Sequence, residues 1–126
     1  GQEPAVCHSL TELLDLYPTV AKLCGLPAQE RLQGKDISPV FENPEYTVRD
    51  AVFSVAPMRK GFLLRTDDWA YIQYEEDASG GIELFDINKD PDQYTNLALN
   101  PVYAPQVEVF KARMVAKLEA VRDNDL

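Results

Sequence analysis

Between Ala51 and Ile87 the chain has four short segments rich in β-branched and aromatic residues, Ala51–Ala56, Gly61–Thr66, Trp69–Tyr74 and Ile82–Ile87. The links between them decide the topology. A parallel crossover needs about a dozen residues or more, whereas Asp67–Asp68 is a two-residue hairpin link and "EEDASGG" a somewhat longer, glycine-terminated one. The four segments are therefore expected to pair antiparallel. From about Pro105 to Val121, Val107, Phe110, Met114, Leu118 and Val121 recur every three or four residues, with Glu108, Lys111, Lys117 and Arg122 mostly off that stripe. One amphipathic helix should cover one face of the sheet, which makes the fold class α+β: an antiparallel sheet of about four strands packed by a C-terminal helix.

A helical segment precedes this unit. "SLTELLDLYPTVAKLCGL" opens with Ser9 and Glu12 at capping-box spacing and carries Leu10, Leu13, Leu14, Tyr17, Val20, Ala21 and Leu23 on one face. Pro18 implies a kink or a second start near Asp15 or Tyr17, and Gly25 a C-terminal stop. The spacing predicts a helix over Ser9–Leu23 whose apolar face, left uncovered, would favour self-association. Cys24, near the end of that face, reads as a small core hydrophobe. The following stretch to Asp50 is rich in Pro and polar residues without periodicity, a surface connection with a short helical turn near Pro39–Phe41. The expected organisation is an irregular start or cloning scar over 1–8, a helical segment over 9–25, a connection over 26–50 and a subdomain over 51–126.

Composition narrows the function. The chain has 12 Lys and Arg against 21 Asp and Glu, a formal charge of −9, and proteins that track nucleic-acid phosphates do so with clustered basic groups. Nucleic acid is a poor partner, and no apolar run reaches bilayer length. Two cysteines, Cys7 and Cys24, allow at most one disulfide, and no Cys/His spacing suggests zinc. The opening "GQEPAVCHSL" lacks the basic and apolar regions of a signal peptide and reads as a cut end.

The stretch Asp86–Leu97, "DINKDPDQYTNL", places Asp86, Asn88 and Asp90 at the first, third and fifth positions of a calcium loop. Pro91 then stands where that loop needs glycine and Leu97 where it needs a bidentate glutamate, so these residues read as a turn whose short polar side chains bond backbone amides. No metal site is expected. Catalysis would need a nucleophile with an activating base, or convergent metal ligands; His8 is the sole histidine, beside Cys7 without an orienting third group, so no catalytic residue is assigned. Asp67, Asp68, Glu75, Glu76 and Asp77 read as a solvated charge run at strand ends. In the bend "APMRKGF", Arg59 and Lys60 form a compact basic pair, which reads either as two solvated cations that keep a hairpin soluble or as a place where an anionic ligand docks.

The order of the segments "LLDLYPTVAKLCGLP", "LQGKDISPVF", "FLLRTDDWAYIQY" and "ELFDINKDPDQYTNLA", followed by the closing helix, resembles the C-terminal part of formylglycine-dependent sulfatases. In that family these are a "DxxPT" helix, a "GxSLxP" connection, an "RTxxxKY"-like hairpin and an "ELYDLxxDPxExxNL" strand and turn. The chain departs at Asp36 for Ser, Ala70 for Lys and Gln93 for Glu. The likeness runs from about Ser9 to the end, and "FSV" with the hairpin is most similar to iduronate-2-sulfatase-like members.

The resemblance implies a parent enzyme that hydrolyses sulfate esters of sulfated glycans, with calcium, the Cys-x-Pro-x-Arg nucleophile motif and the catalytic residues mainly in a larger N-terminal domain. That domain would be the chief partner, and the parent would be exported. Cys24-Gly25-Leu26-Pro27 does not fit the nucleophile motif, so neither cysteine is carried over, and the chain by itself is expected to be inactive. Arg59 and Lys60 are the residues carried over as contacts to a glycan carboxylate or sulfate. The alternative is a stand-alone acidic module that binds a protein or glycan.

Overall fold

A computed structural model describes residues 4–27, 29, 31–56, 58 and 60–122. The chain divides into two compact units between Asp50 and Ala51.

In the first unit a 3₁₀ turn, Leu13–Asp15, leads into helix α1, Leu16–Leu23. The helix is shorter than the apolar pattern suggests and starts later. Ser9 does not cap it: its Oγ accepts the N–H of Val48 at 2.7 Å. The residue before the first turn of α1 is Asp15, one of the two later starts that Pro18 implies, while Glu12 precedes the 3₁₀ turn and its N–H donates to Asp15 Oδ2 at 2.7 Å. Pro18 falls in the first turn of α1, where a missing N–H costs no helical bond. The other end closes at Gly25, with φ +67°. The N–H of Gly25 donates to Lys22 C=O at 3.1 Å and that of Leu26 to Ala21 C=O at 2.9 Å, the paired bonds by which a left-handed residue satisfies the last helical carbonyls. A second 3₁₀ turn covers Ser38–Phe41.

Cys24 is exposed, not core, because it is the C-cap residue and lies beyond the helical turn that faces inward. Leu13, Leu16, Tyr17, Val20, Leu23 and Leu26 are also exposed within the chain, so the uncovered apolar face read from the sequence is present. The buried side of α1 is instead Pro18, Thr19 and Ala21, with Asp15 just before it.

The second unit is an antiparallel meander, β1 (Val52–Ala56), β2 (Gly61–Arg65), β3 (Trp69–Tyr74) and β4 (Ile82–Asp86), with strands adjacent in chain order. Each expected strand is present to within one residue at either end. Register sets the core: Phe53 pairs with Leu64, Leu64 with Tyr71, and Tyr71 with Leu84. Because alternate residues share a face, this row presents four large side chains to one side of the sheet. Helix α2, Ala104–Arg122, lies there with Val107, Phe110, Met114 and Leu118 buried against Leu64, Tyr71 and Leu84. The rings of Tyr71 and Phe110 stack at 5.7 Å. Each such buried side chain contributes roughly 1.5–3 kcal/mol by leaving water, which is what ties the amphipathic helix to the apolar face of the sheet.

The turn after β4 closes an open edge. Asn96 Oδ1 accepts the N–H of Leu84 at 3.0 Å, Asn96 Nδ2 donates to Ile82 C=O at 3.2 Å, and the Leu97 N–H donates to Leu84 C=O at 2.8 Å. The segment occupies backbone groups that an edge strand would otherwise offer to another chain. Within it, Asp86 accepts from Lys89 through both Nζ (2.6 Å) and the backbone (3.1 Å), Asp90 Oδ2 accepts the Thr95 N–H at 2.7 Å, and Asn88 Nδ2 donates to Asp68 Oδ1 at 2.8 Å. The three residues at calcium-loop spacing are directed to three different local partners.

Candidate functional site

The β1–β2 turn and the β3–β4 loop leave the same end of the meander, since each follows an upward strand in an antiparallel series. They meet there. The Glu75 N–H donates to Lys60 C=O at 3.0 Å, extending the β2–β3 ladder one step beyond the strands. Gly80 folds the loop back, its N–H donating to Tyr74 C=O at 3.0 Å, and a Cβ at Gly80 would come 2.8 Å from Tyr74 Cβ. That approach explains one glycine of the pair that ends the loop.

A buried amide holds the loop from below. Gln73 is 2% exposed on the core face of β3, accepts from Tyr71 Oη at 3.2 Å, and donates through Nε2 to the carbonyls of Glu75 (3.2 Å) and Glu76 (2.7 Å). Burial, with the nearby charge of Glu108 adding to it, pushes the Tyr71 hydroxyl up to about 12. It therefore keeps its proton and serves as a donor at any physiological pH. At the tip of the loop, Glu76 pairs with Arg122 near the end of α2; the hydrogen bond from Arg122, with its charge, holds the Glu76 carboxyl below the usual range. Ser79, through its hydroxyl and its N–H at 2.9 Å, does the same for Asp77.

These contacts shape a groove of about 790 Å³ lined by Val55, Lys60, Phe62, Glu75, Glu76, Asp77 and Ser79. Val55 and Phe62 supply an apolar wall, and Lys60 the one cationic lining group among the described residues. Its Nζ lies 3.1 Å from Glu75 Oε2. Of the two basic residues singled out in the sequence, the structure puts Lys60 in this groove, while Arg59 lies outside the described residues. Glu75, Glu76 and Asp77, expected as a solvated charge run, line this groove together with Ser79, which has no sequence signal of its own. The strand order carried a signal for them: in a four-strand meander the first and third connections must share an end.

The first unit holds a different arrangement. Asp15 is fully buried, and its carboxylate accepts Arg49 Nη1 and Nη2 at 2.6 Å each, the Lys35 N–H at 2.8 Å and the Glu12 N–H at 2.7 Å. Thr19 Oγ1 donates to Asp15 C=O at 2.6 Å and accepts the Ile37 N–H at 3.0 Å. Burial would raise the Asp15 carboxyl, but the bonds from Arg49, Lys35 and Glu12 and the guanidinium charge outweigh it and hold it below the ordinary 3.8. All its acceptor capacity is spent inside the fold, so this cluster is a clamp between α1 and the connection after it. His8 is exposed and Cys7 Sγ accepts the Ser9 N–H at 3.4 Å. Among the described residues no group of three or more His, Cys, Asp or Glu is placed to hold a metal ion, and no helix is long and apolar enough to cross a membrane.

A four-stranded antiparallel meander packed by one helix, with a groove at one end, defines an α+β domain. The chain belongs to the family described as N-sulphoglucosamine sulphohydrolase, C-terminal, which matches residues 2–123. It is 32% identical to human arylsulfatase K over 103 residues, covering 72% of this chain and 19% of that protein. A sulfatase of Formosa agariphila is 30% identical over 112 residues, covering 89% of this chain and 21% of that protein. The fold matches a solved sulfatase-family structure from Bacteroides thetaiotaomicron with a TM-score of 0.80 and 26% identity, over 97% of this chain and 28% of the other. The chain thus spans about a fifth of the length of the curated relatives it matches.

Proposed function

We propose that this chain is the C-terminal region of a sulfuric ester hydrolase that acts on sulfated glycans, and that its part is to complete the substrate pocket of a catalytic domain, not to perform the chemistry. The observation that carries this is the family match over residues 2–123. The nature of the groove supports it, since an apolar wall beside charged and hydroxyl groups suits a sugar ring with anionic substituents. Phe53-Ser54-Val55 and the hairpin Gly61–Tyr74 favour an iduronate-2-sulfatase-like member, and the kinship with arylsulfatase K and a bacterial sulfatase favours an exported parent. The calcium implied for the parent would be held by other residues, because Asp86, Asn88 and Asp90 are committed to local partners.

In this reading Arg59 and Lys60 draw in the anionic glycan, which the chain's overall charge of −9 would repel. The test is a sulfate-ester hydrolysis assay on the 126-residue chain and on the longer enzyme that contains it, with a sulfated oligosaccharide as substrate. The chain alone should show no turnover. In the longer enzyme, replacing Arg59 and Lys60 with Ala should raise KM more than it lowers kcat, and added salt should shrink the difference. Turnover by the chain alone, or unchanged kinetics at low salt, would overturn the assignment of roles.

A further inference from the structure

Lys60 and Glu75 face each other across the end of the β2–β3 ladder, and both have left-handed backbones, φ +47° and +62°. Glycine takes that conformation without steric cost, whereas a long side chain does not. The backbone of this corner would be served by glycine at both positions. What the two residues add is their side chains, which meet at 3.1 Å over the wall formed by Val55 and Phe62. Unusual backbone conformations of this kind concentrate at ligand sites.

The carboxylates of the groove are not equivalent. Glu76 is paired with Arg122 and Asp77 is hydrogen-bonded by Ser79, so Glu75 is the carboxylate in direct contact with Lys60, with the Glu76 charge acting on it from farther away. That pair is open to water, with the Lys60 side chain 67% and the Glu75 side chain 42% exposed, and an exposed pair of this sort is weakly held. The backbone bond from the Glu75 N–H to Lys60 C=O does not depend on either side chain. The carboxylate can therefore release the ammonium without disturbing the ladder.

We propose that Glu75 is a gate on Lys60 that sets how strongly an anion must bind to enter the groove. Resting on the reading of Lys60 as a substrate contact, it occupies the ammonium while the groove is empty and yields it to a sulfate or carboxylate delivered by a saccharide that also packs on Phe62 and Val55. A free inorganic anion lacks the second contact and does not displace it. Glu75 thus lowers the affinity for every anion and leaves the multiply anchored sugar as the ligand that binds.

The test is a titration of the isotopically labelled 126-residue chain at low salt, following amide shifts around Lys60, Glu75 and Ser79. The probes are a sulfated disaccharide, its unsulfated counterpart and inorganic sulfate. Glu75→Gln should tighten the sulfated disaccharide roughly three- to ten-fold and make inorganic sulfate binding measurable, with no gain for the unsulfated sugar. Glu75→Asp, which withdraws the carboxylate by one methylene, should show part of that gain, and Lys60→Ala/Glu75→Gln none. If Lys60→Ala weakens the sulfated sugar but neither Glu75 variant tightens it, the gate is wrong and the reading of Lys60 stands. If Lys60→Ala binds as tightly as the unaltered chain, that reading fails and the gate with it.

Discussion

The carboxylate of Asp15 and the guanidinium of Arg49, 34 residues apart in the chain, form two parallel hydrogen bonds of 2.6 Å inside the first unit. Fork-to-fork pairing of this kind adds direction to charge, and here the remaining oxygen capacity takes the N–H groups of Glu12 and Lys35. Glu12 Oε2 stands 3.2 Å from the same guanidinium. The pair makes α1 and the irregular segment up to Arg49 one folded body, although that segment has little apolar pattern of its own.

Arg49→Ala should cost about 3–5 kcal/mol, because it leaves a buried carboxylate without its counterion. Hydrogen exchange reads this locally. The amides of Lys35 and Ile37, which bond to Asp15 and Thr19, should lose about two to three orders of magnitude of protection, while the Leu84 amide in the second unit should change little.

The same pair predicts an acid limb to stability. Asp15 is held below the ordinary 3.8 in the folded state, so folding favours its charged form. That contribution is fully present above about pH 4–5, and it is lost as the pH falls through 3.8 toward the lower folded value. Acid unfolding followed by circular dichroism should show a shallower limb for Asp15→Asn than for the unaltered chain, on a lower neutral-pH baseline.

Two glycines should respond differently to alanine. A Cβ at Gly34 would lie 2.1 Å from the Leu14 carbonyl oxygen, a backbone atom that cannot step aside alone, so Gly34→Ala should cost at least about 1–3 kcal/mol as the connection is forced off the 3₁₀ turn Leu13–Asp15. At Gly25 there is open space, and the penalty is the φ of +67°, about 1 kcal/mol. Chemical denaturation of both variants checks the order.

Asn96→Ala removes the acceptor for the N–H groups of Leu84 and Ala98. A loss of about 1–3 kcal/mol is expected where a part-buried donor is left unpaired, with faster exchange of the Leu84 amide. The uncovered β4 edge should also raise the tendency to associate through strand pairing, which light scattering would detect as a concentration-dependent increase in mass.

The four strands, their antiparallel order and the inward stripe of α2 are determined by the sequence alone, because hydrophobic period and connection length are local properties: Asp67–Asp68 is too short for a crossover wherever it lies. The stop of α1 at Gly25 is equally local. The start of α1 is not, since both Ser9 and Asp15 suit a cap and the choice depends on Ser9 being taken by Val48, 39 residues on. Cys24 is exposed instead of core for a related reason: the helix turns its small residues, Pro18, Thr19 and Ala21, inward, which no apolar count would select. The polar partnerships Asp15–Arg49, Asn96–Leu84 and Lys60–Glu75 likewise belong to the tertiary structure. A charge or amide has no period along the chain that names its partner, and only the close approach of distant backbone segments decides which acceptor each donor meets.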